Sequence, residues 1–277
     1  MIATLLSLIY CSGATLQSQT LDLIYVKKGD RSQSLDLFLP SGEAKKRPLV
    51  IWVHGGGWRS GSKEGGPWRA LIREGFAVAS INYRLSGEAI FPAQIEDCKA
   101  AVRYLRANAG KFGLDEDRFG AWGSSAGGHL VALLGTSGGV KELEGGALGN
   151  ESESSRVQAV CDWYGPTDFL AFRSGEQARS TQTPEALLLG GAINTNEALA
   201  KSASPITYIS KDDPPFLIAH GLSDRTVPYN QSELLHQALQ KGGVSSELVL
   251  VPGAGHGNLG SEVQAKVIAF FKKHLMK

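Results

Sequence analysis

Arg118-Phe119-Gly120-Ala121-Trp122-Gly123-Ser124-Ser125-Ala126-Gly127-Gly128-His129-Leu130-Val131-Ala132-Leu133-Leu134 decides the fold. Residues 118–122 read as a short, mainly apolar strand, and residues 128–134 can continue as a helix. Between them, Gly123-x-Ser125-x-Gly127 places a serine at the turn. A strand that turns sharply into a helix around a serine is a nucleophile elbow. The turn is tight enough to force the serine into strained backbone geometry. Strand and helix approach closely two positions either side of it, where glycine is the residue that fits. The pentapeptide alone would also suit an inert Gly/Ser loop, so the rest of the chain has to decide.

The flanking sequence supplies a sheet for this turn. Residues 21–28 and 34–39, joined through Gly29-Asp30, read as a β-hairpin, with Leu35, Leu37 and Leu39 alternating against Asp36 and Phe38. Pro40-Ser41-Gly42 ends it, and a charged turn runs through Arg47. Leu49-Val50-Ile51-Trp52-Val53 is a continuous apolar run, which suits a strand buried on both faces of a parallel sheet. Residues 68–74 read as a helix and 76–81 as the next buried strand. Residues 92–108 form an amphipathic helix. Ile95, Cys98, Ala101, Val102 and Leu105 make its stripe, and Glu96, Lys99, Arg103 and Arg106 lie outside it. Beyond the elbow, strands are expected at 157–161, 215–219 and 247–251, with helices at 228–240 and 262–275.

Alternating strands and helices imply an α/β fold. The central sheet is mostly parallel with helices on both faces, and the N-terminal hairpin adds antiparallel strands at one edge. Residues 135–155 read as a loop. Residues 168–204 read as an insertion with two weak helical patches, on the side where ligands would sit. With no internal repeat and no linker, residues 21–277 read as one domain.

The composition excludes several functions. Apolar residues make up 42% of the 277, charged residues 20%, and the formal net charge is +1. There is no basic stripe, so nucleic acid is not an expected partner. No stretch is long and apolar enough to span a bilayer as a mature anchor. Residues 1–14 read as a signal peptide: 1–10 are apolar, Cys11-Ser12-Gly13-Ala14 are small, and cleavage would follow Ala14. The expectation is a secreted or periplasmic protein, with a cytoplasmic chain as the alternative because the segment has no Lys or Arg before its apolar run. Cys98 and Cys161 would then remain, read as two buried free thiols, with a disulfide between them in an oxidising compartment as the alternative. No Cys/His cluster has zinc spacing, so neither metal nor cofactor is expected.

An elbow serine needs a base to take its proton and an acid to orient that base. Phe216-Leu217-Ile218-Ala219-His220-Gly221 is a strand running into a loop that carries Asp224. Leu248-Val249-Leu250-Val251 is followed by the Gly-rich exit loop Pro252-Gly253-Ala254-Gly255-His256-Gly257. Ser125, Asp224 and His256 thus occur in the order serine, acid, histidine, with acid and base both just past strand ends. Asp168, after another strand, is the reserve acid. His129 and His54 read as packing and loop-bracing residues, His220 as a strand end, and His236 and His274 as surface positions. Acyl transfer also needs N–H donors for a developing oxyanion. Gly56 and Gly57, in His54-Gly55-Gly56-Gly57-Trp58 after the apolar strand, and Ala126, after the serine, are the candidates.

His-Gly-Gly-Gly-Trp at 54–58, Asn82-Tyr83-Arg84-Leu85, Phe91-Pro92-Ala93-Gln94, Gly123-x-Ser125-x-Gly127 and His220-Gly221-x-x-Asp224-x-x-Val227-Pro228 resemble the α/β-hydrolase esterases related to hormone-sensitive lipase. The resemblance runs from about Leu35 to the end of the chain. Ser124-Ser125-Ala126-Gly127-Gly128-His129-Leu130 and Asp162-Trp163-Tyr164-Gly165-Pro166-Thr167-Asp168 are closer to the small bacterial feruloyl and acetyl esterases of plant polysaccharides. The resemblance implies a metal-free serine esterase for acetyl or feruloyl groups on sugars. No long helical segment precedes the first strand, which implies a missing or reduced cap and an open site. Trp58, Trp163 and Tyr164 are the candidate substrate contacts. A general short-chain carboxylesterase or lipase-like enzyme and an amidase or peptidase are the alternatives on the same fold. A silent glycan-binding protein is the alternative from another class.

Overall fold

The computed structural model describes residues 16–42 and 46–276. The signal-peptide reading of residues 1–14, with Cys11, lies outside the described residues, as does part of the charged turn, residues 43–45.

Eight strands form one sheet: β1 Leu16–Ile24, β2 Ser34–Pro40, β3 Arg47–Val53, β4 Ala77–Ile81, β5 Leu114–Ser124, β6 Ala159–Trp163, β7 Phe216–Gly221 and β8 Ser246–Val251. Their order is β1-β2-β4-β3-β5-β6-β7-β8. β1 pairs with β2 and β2 with β4 in antiparallel register, and every later neighbour is parallel. The helices are α1 Arg69–Arg73, α2 Ala93–Ala107, α3 Ala109–Phe112, α4 Ala126–Thr136, α5 Phe169–Phe172, α6 Gly175–Arg179, α7 Pro184–Leu189, α8 Glu197–Ala203, α9 Asn230–Lys241 and α10 Ser261–Leu275. None of the described helices is long and apolar enough to cross a membrane. This is an α/β-hydrolase fold with an antiparallel N-terminal hairpin.

The apolar runs explain the two-sided sheet. Successive strand residues point to opposite faces, so a strand covered on both sides needs apolar residues at every position. In β3, Leu49, Ile51 and Val53 join Ile95 and Leu105 of α2, Leu130 of α4 and Leu235 of α9. Val50 and Trp52 face the other way, toward Leu71 of α1 and Val267 and Phe271 of α10. Cys98 and Cys161 are buried and free, one on α2 and one on β6.

Several boundaries depart from the sequence expectation: β3 starts at Arg47 rather than Leu49, and β6 spans Ala159–Trp163 rather than 157–161. The first hairpin strand spans Leu16–Ile24 rather than 21–28. Asp30 then caps a short 3-10 turn, Arg31–Gln33, by accepting the Ser32 N–H, so residues 25–33 connect the strands. The elbow strand starts at Leu114, well before Arg118. The 168–204 insertion holds four short helices, α5 to α8, not two.

Candidate active site

Parallel strands all present their C-terminal ends to one edge, and the segments leaving those ends carry the site. Ser125 sits between β5 and α4 with φ 55° and ψ −121°. That conformation strains a residue with a side chain and persists only where neighbours over-determine it. Here the Ser125 N–H donates to the Trp163 carbonyl at 2.8 Å, and its own carbonyl accepts the His129 N–H at 2.9 Å. A Cβ at Gly127 would run into the Val53 carbonyl, and one at Gly123 into the Gly127 carbonyl. The two flanking glycines let helix, strand and serine meet at this point.

His256 leaves β8 and turns back over the serine. Its Nε2 lies 2.8 Å from Ser125 Oγ and its Nδ1 2.6 Å from Asp224 Oδ2. Asp224 follows β7, and its Oδ1 accepts the N–H groups of Thr226 at 2.8 Å and Val227 at 3.0 Å. Burial opposes ionisation of this carboxyl. Hydrogen bonds from His220, His256 and the Val227 and Thr226 N–H groups outweigh burial and hold its pKa well below the ordinary carboxylate range. An ionised Asp224 can only accept, so His256 Nδ1 carries the proton and Nε2 turns a lone pair to the Ser125 hydroxyl. Hydroxyl, imidazole and carboxylate form one chain along which the serine can lose its proton.

His220 has no counterpart among the residues singled out for chemistry. Its Nε2 faces the Val227 carbonyl at 2.9 Å and Asp224 Oδ2 at 3.2 Å, and its Nδ1 faces Ser232 Oγ at 2.7 Å. Two oxygens at Nε2 place the proton there, leaving Nδ1 to accept from Ser232. The signal was the four-residue spacing from His220 to Asp224 across the strand end.

Asp162 is a second buried carboxyl. Its Oδ1 accepts the Gly165 N–H at 2.9 Å and lies where a Gly128 side chain would have to go. Its Oδ2 has no hydrogen-bond partner among the described residues. Burial raises its pKa to about 6.

Gly56, Gly57 and Ala126 line the same cavity, of about 470 Å³, as Ser125 and His256. Their N–H groups make no hydrogen bond among the described residues, so all three are free to donate. Gly56 has φ 114°, and its carbonyl accepts the Arg59 and Ser60 N–H groups, folding the loop back on itself. Below it, His54 stacks on Tyr83 at 4.4 Å, and the Tyr83 hydroxyl donates to the His54 carbonyl at 3.1 Å.

The three proposed substrate contacts separate. Tyr164 lines the cavity, with its ring 4.7 Å from His256 and its hydroxyl raised by burial to about 12. Trp58 also lines it but is 2% exposed; its ring meets His129 and Phe169, and its N–H donates to His129 Nδ1 at 3.1 Å. That bond and the Ala203 carbonyl at 2.7 Å from Nε2 fix a neutral His129, whose pKa burial lowers to about 4. Trp163 does not line the cavity. It is the last residue of β6 and packs edge-on to Trp122 at 4.9 Å, with the Tyr164 ring 6.3 Å away. Asp168 is not at the triad either: it caps α5 by accepting the Leu170 and Ala171 N–H groups. The insertion does contribute wall residues, Phe172, Arg173, Pro184 and Glu185.

The BD-FAE family profile matches residues 35–239. Esterase LipC of Mycobacterium tuberculosis is 33% identical over 233 residues, which are 82% of this chain and 57% of that protein. The chain therefore spans a little over half the length of this curated relative. A truncated form of a carbohydrate esterase from gut microbiota superposes with a TM-score of 0.88 at 33% identity, covering 96% of this chain and 99% of the other. The acetyl ester-xyloside bifunctional hydrolase from Caldicellulosiruptor lactoaceticus gives a TM-score of 0.69 at 28% identity, covering 87% and 85%.

Proposed function

The chain belongs to the BD-FAE family, and on that premise we propose that it is a serine carboxylic-ester hydrolase acting on acetyl or feruloyl esters of carbohydrates. The observation that carries this reading is the run from Ser125 Oγ through His256 to Asp224, at 2.8 and 2.6 Å. Ser125 attacks the ester carbonyl while His256 takes its proton. Asp224 holds the imidazole in register and stabilises the imidazolium. The Gly56, Gly57 and Ala126 N–H groups receive the charge that develops on the carbonyl oxygen. His256 returns the proton to the departing alcohol, and water then resolves the acyl-enzyme. Similarity to an esterase, a carbohydrate esterase and an acetyl ester-xyloside hydrolase supports the substrate class.

A substrate screen tests it: acetylated xylan, methyl ferulate, and p-nitrophenyl esters of rising chain length. Turnover of acetylated xylan or methyl ferulate, lost in Ser125→Ala, is expected. Hydrolysis restricted to long-chain p-nitrophenyl esters would contradict the carbohydrate assignment.

A further inference from the structure

Two arginines, Arg59 and Arg173, line the cavity around Ser125, and Glu185 is the one carboxylate among its lining residues. Arg173 Nη2 holds Glu185 Oε1 at 3.1 Å, and the Glu185 side chain is 3% exposed. The guanidinium carbon lies over the Phe172 ring, 4.0 Å from its centroid. The pairing is incomplete. Arg173 Nε and Glu185 Oε2 are buried without a hydrogen-bond partner among the described residues. Arg173 Nη1 and the exposed Arg59 side chain likewise make no hydrogen bond or ion pair there.

Among its lining residues the cavity thus holds two cations against one carboxylate, with Arg173 held in place and Arg59 free to reach toward it. Its wall beside Arg173 is apolar, from Phe172 and Pro184. A guanidinium seated over an aromatic ring and bonded to one carboxylate through Nη2 keeps further N–H groups for a second carboxylate. A neutral hydroxyl could accept one of these bonds but would leave the Arg59 side chain, which pairs with no described residue, without a counter-charge.

We propose that Arg59 and Arg173 form a carboxylate subsite beside Ser125, so that the preferred ester belongs to a molecule that also carries an acid group. Two sources share this chemistry: a uronic-acid saccharide bearing the acyl group, or a dicarboxylic half-ester bearing the acid on the acyl side. The proposal rests on the ester-hydrolase reading above and deepens it.

Two matched pairs test it on the whole chain. The first is methyl 4-O-acetyl-glucoside against the same compound with C6 oxidised to a carboxylate. The second is p-nitrophenyl butyrate against p-nitrophenyl hydrogen succinate. In one pair the acidic member is expected to have a kcat/KM about tenfold higher or more, the scale of one charge-assisted hydrogen bond. That preference is expected to shrink as salt is raised. Arg173→Gln abolishes it, although this change strands the buried Glu185 carboxylate and can cost folding. Arg59→Gln, at an exposed position, narrows the acidic-to-neutral ratio without that risk. Equal or lower rates on both acidic members, with p-nitrophenyl acetate still hydrolysed, overturn the subsite and leave the esterase reading standing. Failure to hydrolyse p-nitrophenyl acetate at all overturns the reading beneath it as well.

Discussion

His220 Nε2 lies 3.2 Å from Asp224 Oδ2, and neither side chain is exposed. Asp224 is thus held by two histidines, one reaching the serine and one buried behind it. The second bond keeps the carboxylate ionised and fixes the oxygen that receives His256. His220→Ala is expected to lower kcat about 10- to 100-fold, the range for losing one hydrogen bond to a charged group. KM for p-nitrophenyl acetate is expected to stay unchanged, because His220 is not among the residues lining the cavity. Steady-state kinetics at neutral pH check this, and an unchanged kcat would contradict it.

Asp224→Asn is expected to reduce kcat by about 10⁴ without loss of the fold. The amide oxygen would take the Thr226 and Val227 N–H groups, which turns the amide NH₂ toward His256 Nδ1. The imidazole would then carry its proton on Nε2 and could not act as the base. Kinetics together with circular dichroism separate this from unfolding; retention of more than a tenth of the activity would count against the assigned role.

Asp162 gives a stability prediction with a definite sign. Its pKa rises from the ordinary 3.8 to about 6 on folding, because burial disfavours its charge. The folded protein thus binds this proton more tightly than the unfolded chain. The stabilisation is complete below the unfolded value and is lost as pH rises through the folded one. Across that window the loss is roughly 3 kcal/mol. Asp162→Asn, uncharged throughout, lacks this slope. Urea unfolding from acid to neutral pH is expected to show the stability gap between wild type and variant moving toward the variant. A gap independent of pH would contradict the burial argument.

Gly127→Ala tests the close approach at the elbow. The new methyl would meet the Val53 carbonyl, a backbone atom that cannot move aside without shifting β3. Overpacking of this kind costs about 1–3 kcal/mol, and the displaced turn also carries Ser125. A lowered Tm with a loss of activity larger than the loss of folded protein is expected. Wild-type Tm and activity would show that the approach is looser than the geometry says.

The fold was legible where burial is two-sided. Residues 49–53 have no polar position, and such a run has few homes outside a parallel sheet. Strand ends were less legible, because pairing partners decide them: Arg47 pairs with Leu114 across the sheet, extending both strands beyond their apolar runs. Ser125, Asp224 and His256 could be named because each sits beside a recognisable turn or strand exit. Their buried supports were less legible: only the four-residue spacing to Asp224 marks His220, and Asp162 meets Gly165 and Gly128 only once β6 packs on α4. Trp163 and Tyr164 were read as a pair, yet Trp163 is the last residue of β6 and packs on Trp122, while Tyr164 lies past the strand end at φ 45° and reaches the cavity; no periodicity in the sequence shows that turn. In the insertion, helices of four to seven residues are too short to show a helical period.

The central claim is that Ser125 is the nucleophile, and covalent capture tests it most directly. A fluorophosphonate probe followed by intact mass and peptide mapping is expected to give one adduct per chain, on Ser125. Labelling is expected to be absent in Ser125→Ala and strongly slowed in His256→Ala. A Ser125→Ala protein that still takes up the probe, or still hydrolyses p-nitrophenyl acetate at the wild-type rate, would contradict the account.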